Sequence, residues 1–222
     1  LGRLYVSVIE HPAVRAGGRF SSESVTEIAV TPAGLIDLDA LARTLEGHDA
    51  SDGLPLVAVM LVNNETGIIQ PIREVSGIVK KFGGLLVVDA VQAAGRIPLS
   101  IADLGADFLI LSAHKLGGPK GVGALVSRGE TFMPEPLVRG GGQEKGHRSG
   151  TENAGAIAGF GAAAAIAGST CRARMSGVCG SSGVMRALGG AVPDSGYRER
   201  SRVQPSRPPS HSSGSTSATT IE

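Results

Sequence analysis

Leu85-Leu86-Val87-Val88-Asp89 is the stretch that decides the fold of this 222-residue chain. Its nearly continuous apolar run predicts a strand covered on both faces, as a parallel sheet requires. The strand ends in a carboxylate, and ligands of open α/β sheets bind beyond the carboxyl ends of the strands. The sequence therefore predicts an α/β fold with Asp89 at the ligand-binding edge of a mostly parallel sheet.

A second apolar run, Phe108 to Leu111, gives way to Ser112-Ala113-His114-Lys115 and then to glycines. A strand, a crossover and another strand fit the interval between Asp89 and Lys115, so both side chains are expected to face one pocket. A lysine desolvated at the mouth of a sheet loses its proton readily and can hold an aldehyde as a Schiff base. This pattern points to pyridoxal phosphate, with Asp89 paired to the protonated ring nitrogen.

Both residues also have purely structural interpretations. Lys115 could be a surface lysine in a glycine turn. Asp89 could cap a helix that begins at Ala90-Val91-Gln92. The residues alone leave these alternatives open.

The first three-quarters of the chain alternate between strand and helix patterns, as a parallel sheet with crossovers does. Further strands are predicted for Leu4 to Ile9, Pro55 to Val62 and Gly121 to Ser127. Helices are predicted for Asp37 to Glu46, Ile72 to Phe82 and, as an alanine-rich helix packed closely against a neighbour, Asn153 to Gly168.

Five motifs follow one another along the chain: Glu10-His11-Pro12-Ala13-Val14, Val62-Asn63-Asn64-Glu65-Thr66-Gly67, Val88-Asp89-Ala90-Val91-Gln92-Ala93-Ala94-Gly95, Ser112-Ala113-His114-Lys115 and the segment from Gly140 to Asn153. Together they resemble the cysteine desulfurases of the NifS/IscS type, which are class V aminotransferases. The resemblance runs from about Tyr5 to about Ala167, and five ordered motifs rarely match by chance. It implies the large domain of a fold-type I pyridoxal-phosphate-dependent transferase, a mostly parallel sheet with helices on both faces.

The resemblance implies roles for side chains around the cofactor ring. Lys115 holds the cofactor, and His11 stacks on the ring and shuttles protons, a task that suits an imidazole. Asn64 and Gln92 contact the side of the phenolic oxygen, and Asp89 holds the ring nitrogen. His11 could instead cap a strand, and both amides could be ordinary turn or helix-start residues.

The resemblance also implies a phosphate site and a second subunit. Ser112 and His114, with the backbone around Ala113, form a cradle of hydroxyl, imidazole and main-chain donors for the anion. Thr151 reaches the phosphate from a neighbouring subunit, which requires a homodimer.

The activity implied is that of a cysteine desulfurase, which takes sulfur from L-cysteine and leaves L-alanine and an enzyme persulfide. The sulfur passes to an acceptor or iron–sulfur scaffold protein, and the motifs at Glu10 to Val14 and Gly146 to Asn153 lean toward the nitrogen-fixation type. Two alternatives remain: a catalytically inactive cofactor-binding fragment or dimerisation module, and a selenocysteine lyase or other class V aminotransferase. A nucleotide-binding domain is disfavoured, because neither common glycine pattern of a phosphate loop occurs.

The two ends of the chain depart from the resemblance. We predict a cofactor-binding large domain over residues 1–168, incomplete at its N-terminus, and a divergent, disordered Arg/Ser/Pro-rich tail over 169–222. The small domain is expected to be largely missing, because neither Cys171 nor Cys179 stands where the family has its nucleophile. A reading-frame shift near Ala167 would explain the change, and resequencing tests that hypothesis.

Composition limits the partners and the location. Lys and Arg total 21 against 20 Asp and Glu, a formal charge of +1, so no nucleic acid or anionic membrane is expected as a partner. We expect no membrane span and no signal peptide, which makes the cytoplasm the expected location. The two cysteines match no disulfide framework or metal site.

Overall fold

A seven-stranded sheet forms the centre of the protein in a computed structural model that describes residues 2–179 and 217–221. The strands are β1 (Arg3–Ser7), β2 (Val25–Ile28), β3 (Pro55–Met60), β4 (Leu85–Asp89), β5 (Phe108–Ser112), β6 (Gly123–Ser127) and β7 (Ser217–Ile221). The helices are α1 (Pro12–Arg15), α2 (Leu38–Glu46), α3 (Ile72–Lys81), α4 (Ile101–Leu104) and α5 (Ala154–Cys179).

The sheet has the order β2-β1-β3-β4-β5-β6-β7, and all pairings among β1 to β5 are parallel. Strands β6 and β7 add antiparallel pairings. Met60 stands opposite Asp89, so the carboxyl ends of β3 and β4 lie side by side. The predicted α/β fold with a mostly parallel sheet is confirmed, and its topology brings four strand ends to one edge.

The main core lies between one face of the sheet and helices α2 and α3. Leu41 of α2 and Val75 of α3 are fully buried against Val57 and Leu86 of the sheet. Helix α2 begins where the Asp37 carboxylate accepts the Ala40 N–H at 2.8 Å, which satisfies an otherwise unpaired donor of its first turn. The apolar residues that repeat at helical spacing in α2 and α3 are therefore the ones that pack against the sheet.

The opposite face of the sheet carries a smaller cluster around Leu4, Val6 and Ala58. Beside it lies an open apolar groove of about 400 Å³, lined in part by Val87 and Phe132. Strand β4 was expected to be buried on both faces. Among the described residues, its side chains are fully buried on the face that packs against α2 and α3, whereas Val87 on the opposite face is only half-buried.

Helix α5 packs closely against the turn that follows β5, and glycines make this approach possible. A Cβ added at Gly118 would lie 3.2 Å from the Cβ of Ala163, and one added at Gly159 would lie 2.7 Å from Cγ of Pro119. Helix α5 therefore supports the turn that carries Lys115, as the prediction of a closely packed alanine-rich helix requires.

Several elements differ from the sequence-based expectations. Strand β2 and helices α1 and α4 were not predicted, because each has only four residues and too little apolar periodicity to be recognised. Helix α5 runs through Gly168 to Cys179, and Ser217–Ile221 forms an edge strand, so these segments differ from the expected disordered tail. The rest of the tail, residues 180–216 and 222, lies outside the described residues. The division at residue 168 stays a prediction.

Helix α5 bears on the expectation that the chain has no membrane span, which stays a prediction. The 18-residue window Ala154–Cys171 of α5 is long and apolar enough, by length and composition, to cross a membrane, and 11% of it is buried. Alanine and glycine dominate this window, and its bulky apolar residues are Ile157, Phe160 and Ile166. These properties alone are weak evidence for a membrane span.

Candidate active site

An open cleft of about 540 Å³ lies at the sheet edge where the carboxyl ends of β1, β3, β4 and β5 meet. It has the size usual for a site that holds a small molecule. Most of the predicted site residues line it: His11, Asn64, Asp89, Gln92, Ser112, His114 and Lys115. The topology thus brings together side chains from four separate segments of the chain.

His11 follows β1 and stands at the start of α1. Its Nδ1 accepts the Ala13 N–H at 3.2 Å, so the predicted capping role exists, but on a helix rather than a strand. An amide N–H can only donate, so the neutral imidazole carries its proton on Nε2. The cap therefore fixes which nitrogen of His11 can give a proton.

Asn63 organises the loop that follows β3. Its Oδ1 accepts bonds from the Glu65 N–H, the Thr66 N–H and the Thr66 hydroxyl at 2.8 to 3.0 Å. Its Nδ2 donates to the carbonyl of Ile9 at 3.3 Å. Asn63 is buried, whereas Asn64 is exposed and lines the cleft. Asn63 therefore joins the Asn64 loop to the segment that carries His11.

We expect Asn63→Ala to lower the free energy of unfolding by about 2 kcal/mol, because the buried Asn63 side chain is lost and three part-buried donors of Glu65 and Thr66 lose their acceptor. Asn64→Ala is the matched control and should stay within about 0.5 kcal/mol, because its side chain is exposed. Urea denaturation measures both values. Equal effects of the two substitutions would contradict the role given to Asn63.

Asp89 ends β4 and heads a tight turn instead of a helix. Its Oδ1 accepts the Val91 N–H at 2.9 Å, while the side chain also lines the cleft with Gln92. Burial raises the pKa of Asp89 above its ordinary value, although the Val91 N–H and the charge of His11 act in the opposite direction. The helix expected to begin at Ala90 is not formed, so Asp89 is not a helix N-cap; it accepts a hydrogen bond within the turn and lines the cleft at the same time.

Glu10 lies beside His11 but outside the cleft lining, and the sequence patterns assign it no role. It is 5% exposed, and its Oε1 accepts the Met60 N–H at 2.7 Å. Burial, with a smaller contribution from the nearby Asp89, raises its pKa to about 8, although the Met60 N–H acts in the opposite direction. The sequence offered one sign that Glu10 belongs near the site, its position directly before His11. A motif does not show whether a carboxyl is buried.

The segment after β5 forms a single 3₁₀ turn, Ala113–Lys115. Ser112 Oγ and His114 Nδ1 lie 2.9 Å apart, which places a hydroxyl and an imidazole together in the cleft. Lys115 lines the cleft but is exposed, which corrects the expectation of a desolvated amine. The described residues leave the outer side of the cleft open, so water reaches the lysine.

Two predicted cofactor contacts are not in the cleft of this chain. The Ala113 N–H donates to the carbonyl of Val122 at 3.1 Å, and its carbonyl accepts from Leu116 and Gly118, so its backbone serves the turn itself. Thr151 is exposed in the segment before α5 and does not line the cleft. Its proposed action from a neighbouring subunit stays a prediction.

Cys171 lies away from the cleft lining. Cys171 is buried on α5, 6% exposed, beside a separate cavity of about 290 Å³. Cys179 is the last residue of α5. Among residues 2–171, therefore, no thiol lines the cleft with Lys115.

The chemistry of the cleft fits pyridoxal phosphate, which carries an aldehyde, a phenolic oxygen, a ring nitrogen and a phosphate on one flat ring. The cleft offers an amine for the aldehyde, a carboxylate for the ring nitrogen, amides for the phenolic oxygen, and a hydroxyl with an imidazole for the phosphate. These are Lys115, Asp89, Asn64 with Gln92, and Ser112 with His114. Apolar side chains suited to a ring face also line it: Val62, Val91 and Ile110.

Comparison with known proteins identifies the family to which the chain is similar. Residues 3–176 match the family Aminotransferase class-V. The chain is 45% identical over 157 residues to a cysteine desulfurase of a Nostoc species, covering 69% of this chain and 38% of the relative. It is 43% identical over 171 residues to a cysteine desulfurase of a Frankia species, covering 72% and 40%. The chain thus spans well under half the length of these curated relatives.

Solved structures agree with the fold and the sequence match. A NifS-like protein from Rickettsia africae superposes with a TM-score of 0.72 at 40% identity, covering 77% of this chain and 46% of that one. SspA, solved in complex with cysteine, superposes with a TM-score of 0.63 at 34% identity, covering 73% and 47%. With its cleft, its sheet order and a family match over most of its length, this chain belongs to the class V aminotransferases.

Proposed function

We propose that this chain is the cofactor-binding part of a cysteine desulfurase, which converts L-cysteine to L-alanine and passes the sulfur to an enzyme thiol. The observation that carries the proposal is the presence of Lys115 and Asp89 in one cleft, at the ends of β5 and β4. Class V aminotransferases use pyridoxal phosphate, and relatives at 45% and 43% identity are named cysteine desulfurases. The structural relative SspA was solved with cysteine bound, which supports cysteine as the substrate.

Each polar side chain of the cleft has a separate role in the proposed reaction. When bound, the cofactor supplies an aldehyde that joins an amine and a cationic ring that accepts electrons. Lys115 supplies the amine, and Asp89 holds the proton of the ring nitrogen. Ser112 and His114 bind the phosphate, and His11 moves a proton through Nε2, since its Nδ1 is held by the Ala13 N–H.

Three finer assignments belong to the same proposal. The sulfur goes to iron–sulfur cluster assembly, including that of nitrogenase, through an acceptor or scaffold protein. The enzyme is a homodimer in which Thr151 serves the partner's cleft, a role supported by its position outside the cleft of its own chain. The location we propose is the cytoplasm, and the near-balanced charge of +1 gives the chain little attraction to anionic membranes.

A cofactor-binding fragment without turnover is the second candidate. The burial of Cys171 away from the cleft favours it, because a sulfur-accepting thiol must reach the substrate. In that case the chain binds the cofactor through Lys115 but has no thiol placed to accept the sulfur.

One experiment separates the candidates. The purified chain is mixed with pyridoxal phosphate and then with L-cysteine, L-selenocysteine or, as a control, L-serine, and the alanine formed is quantified beside the sulfur trapped by alkylation. Alanine and sulfur in equal amounts from cysteine support a desulfurase. Alanine from selenocysteine alone supports a selenocysteine lyase. Cofactor binding without alanine supports the fragment, and no cofactor binding contradicts the proposal.

A further inference from the structure

Glu10 is a buried carboxyl beneath the cleft that the proposed chemistry does not use. Its side chain is 5% exposed, and Oε1 accepts the Met60 N–H at 2.7 Å. The second oxygen, Oε2, is buried and has no hydrogen-bond partner among the residues that the structure describes. An ionised carboxylate in this position would leave a charged oxygen unsolvated, which is costly in a protein interior.

The position of Glu10 connects three strands at the cleft edge. It follows β1, precedes His11 directly and holds the last residue of β3. Met60 stands opposite Asp89, and the Leu61 N–H donates to the Asp89 carbonyl at 2.9 Å. The hydrogen bond from Met60 to Glu10 therefore fixes the backbone beside the Asp89 carboxylate.

Only one of these two carboxyls is suited to carry a charge. Asp89 lines the open cleft beside His11, while Glu10 is buried and receives only the neutral amide of Met60. Two neighbouring carboxylates disfavour each other's ionisation, and the more deeply buried one is the one that keeps its proton. In agreement, the pKa of Glu10 is raised to about 8 by burial and by Asp89.

We propose that Glu10 is a positioning residue that keeps its proton at neutral pH and holds Met60 in place, so that Asp89 alone faces the cleft as an anion. This inference rests on the proposed cofactor site for its purpose, although the protonation of Glu10 can be tested without the cofactor. In the neutral form Oε1 accepts the Met60 N–H and Oε2 carries the proton.

The first test follows the unfolding of the whole chain, without cofactor, by urea at several pH values. Folded Glu10 keeps its proton up to about pH 8, while the unfolded side chain loses it near 4.5, so stability falls as pH rises through this window. Glu10→Gln should remove the part of the pH dependence of the free energy of unfolding that corresponds to about one proton. Glu46→Gln, which removes an exposed carboxyl on α2, should keep the wild-type slope. An unchanged slope in Glu10→Gln overturns the proposal.

The second test compares two substitutions by their dissociation constants for pyridoxal phosphate at pH 7. Glu10→Ala leaves the Met60 N–H without its acceptor and should weaken binding about tenfold. Glu10→Gln can still accept that bond without a charge and should restore most of the affinity. If Gln is as damaging as Ala, the proposal is wrong. If the wild-type chain binds no cofactor, the proposed function fails, and the unfolding slopes still decide the protonation of Glu10.

Discussion

Lys115→Ala is expected to abolish covalent attachment of pyridoxal phosphate to this chain. Lys115 is the lysine that lines the cleft, and an aldehyde bonds reversibly to an amine only where the two meet. Alanine keeps the short 3₁₀ turn, whose hydrogen bonds are made by the backbone of Ala113. The loss should therefore be chemical and not structural. Incubation with the cofactor, reduction with borohydride and peptide mapping measure the attachment.

Lys120→Ala provides the matched control. This lysine lies on the same glycine-rich segment, is exposed and does not line the cleft. Its removal should leave labelling at Lys115 intact at equal cofactor concentration. Undiminished labelling of the Lys115→Ala chain, or a label found on Lys120 in the wild-type chain, would contradict the assigned role.

The sequence predicts the skeleton of the site because each strand ends where its apolar run meets a polar residue. Leu85 to Asp89 and Phe108 to Ser112 show this switch clearly, and a parallel sheet brings such ends together without further information. The convergence of Asp89 and Lys115 therefore followed from pattern and topology. The same reasoning found α2 and α3, whose apolar faces repeat at helical spacing.

What the sequence could not predict depends on burial and on hydrogen bonds between distant segments. The carboxyl of Glu10 is distinguished from an exposed one only by its contact with Met60, fifty positions along the chain. The Ala113 N–H looked free for an anion, but it belongs to the β5–β6 connection through Val122. The exposure of Lys115 depends on what covers the cleft, which no local motif records.

Asp89→Asn is expected to weaken the binding of pyridoxal phosphate about 10- to 100-fold at neutral pH. A hydrogen bond to a charged group contributes about 1.5–3 kcal/mol, and the ring nitrogen loses its anionic partner in this variant. The asparagine oxygen can still accept the Val91 N–H that Asp89 accepts at 2.9 Å, so the turn after β4 should persist. Titration of cofactor fluorescence or absorbance gives the dissociation constants.

The pH dependence of the same measurement separates charge from shape. Burial raises the pKa of Asp89, so the wild-type chain should lose affinity as pH falls through a higher range than an ordinary aspartate would set. Asp89→Asn has no such proton to gain and should lack this acid limb. Asp103→Asn, an exposed position on α4, should keep both the affinity and the acid limb of the wild type. If Asp89→Asn instead matched the wild type in affinity and in pH profile, the anion at the end of β4 would have no part in holding the ring, and the cleft would bind the cofactor through Lys115 and the phosphate donors alone.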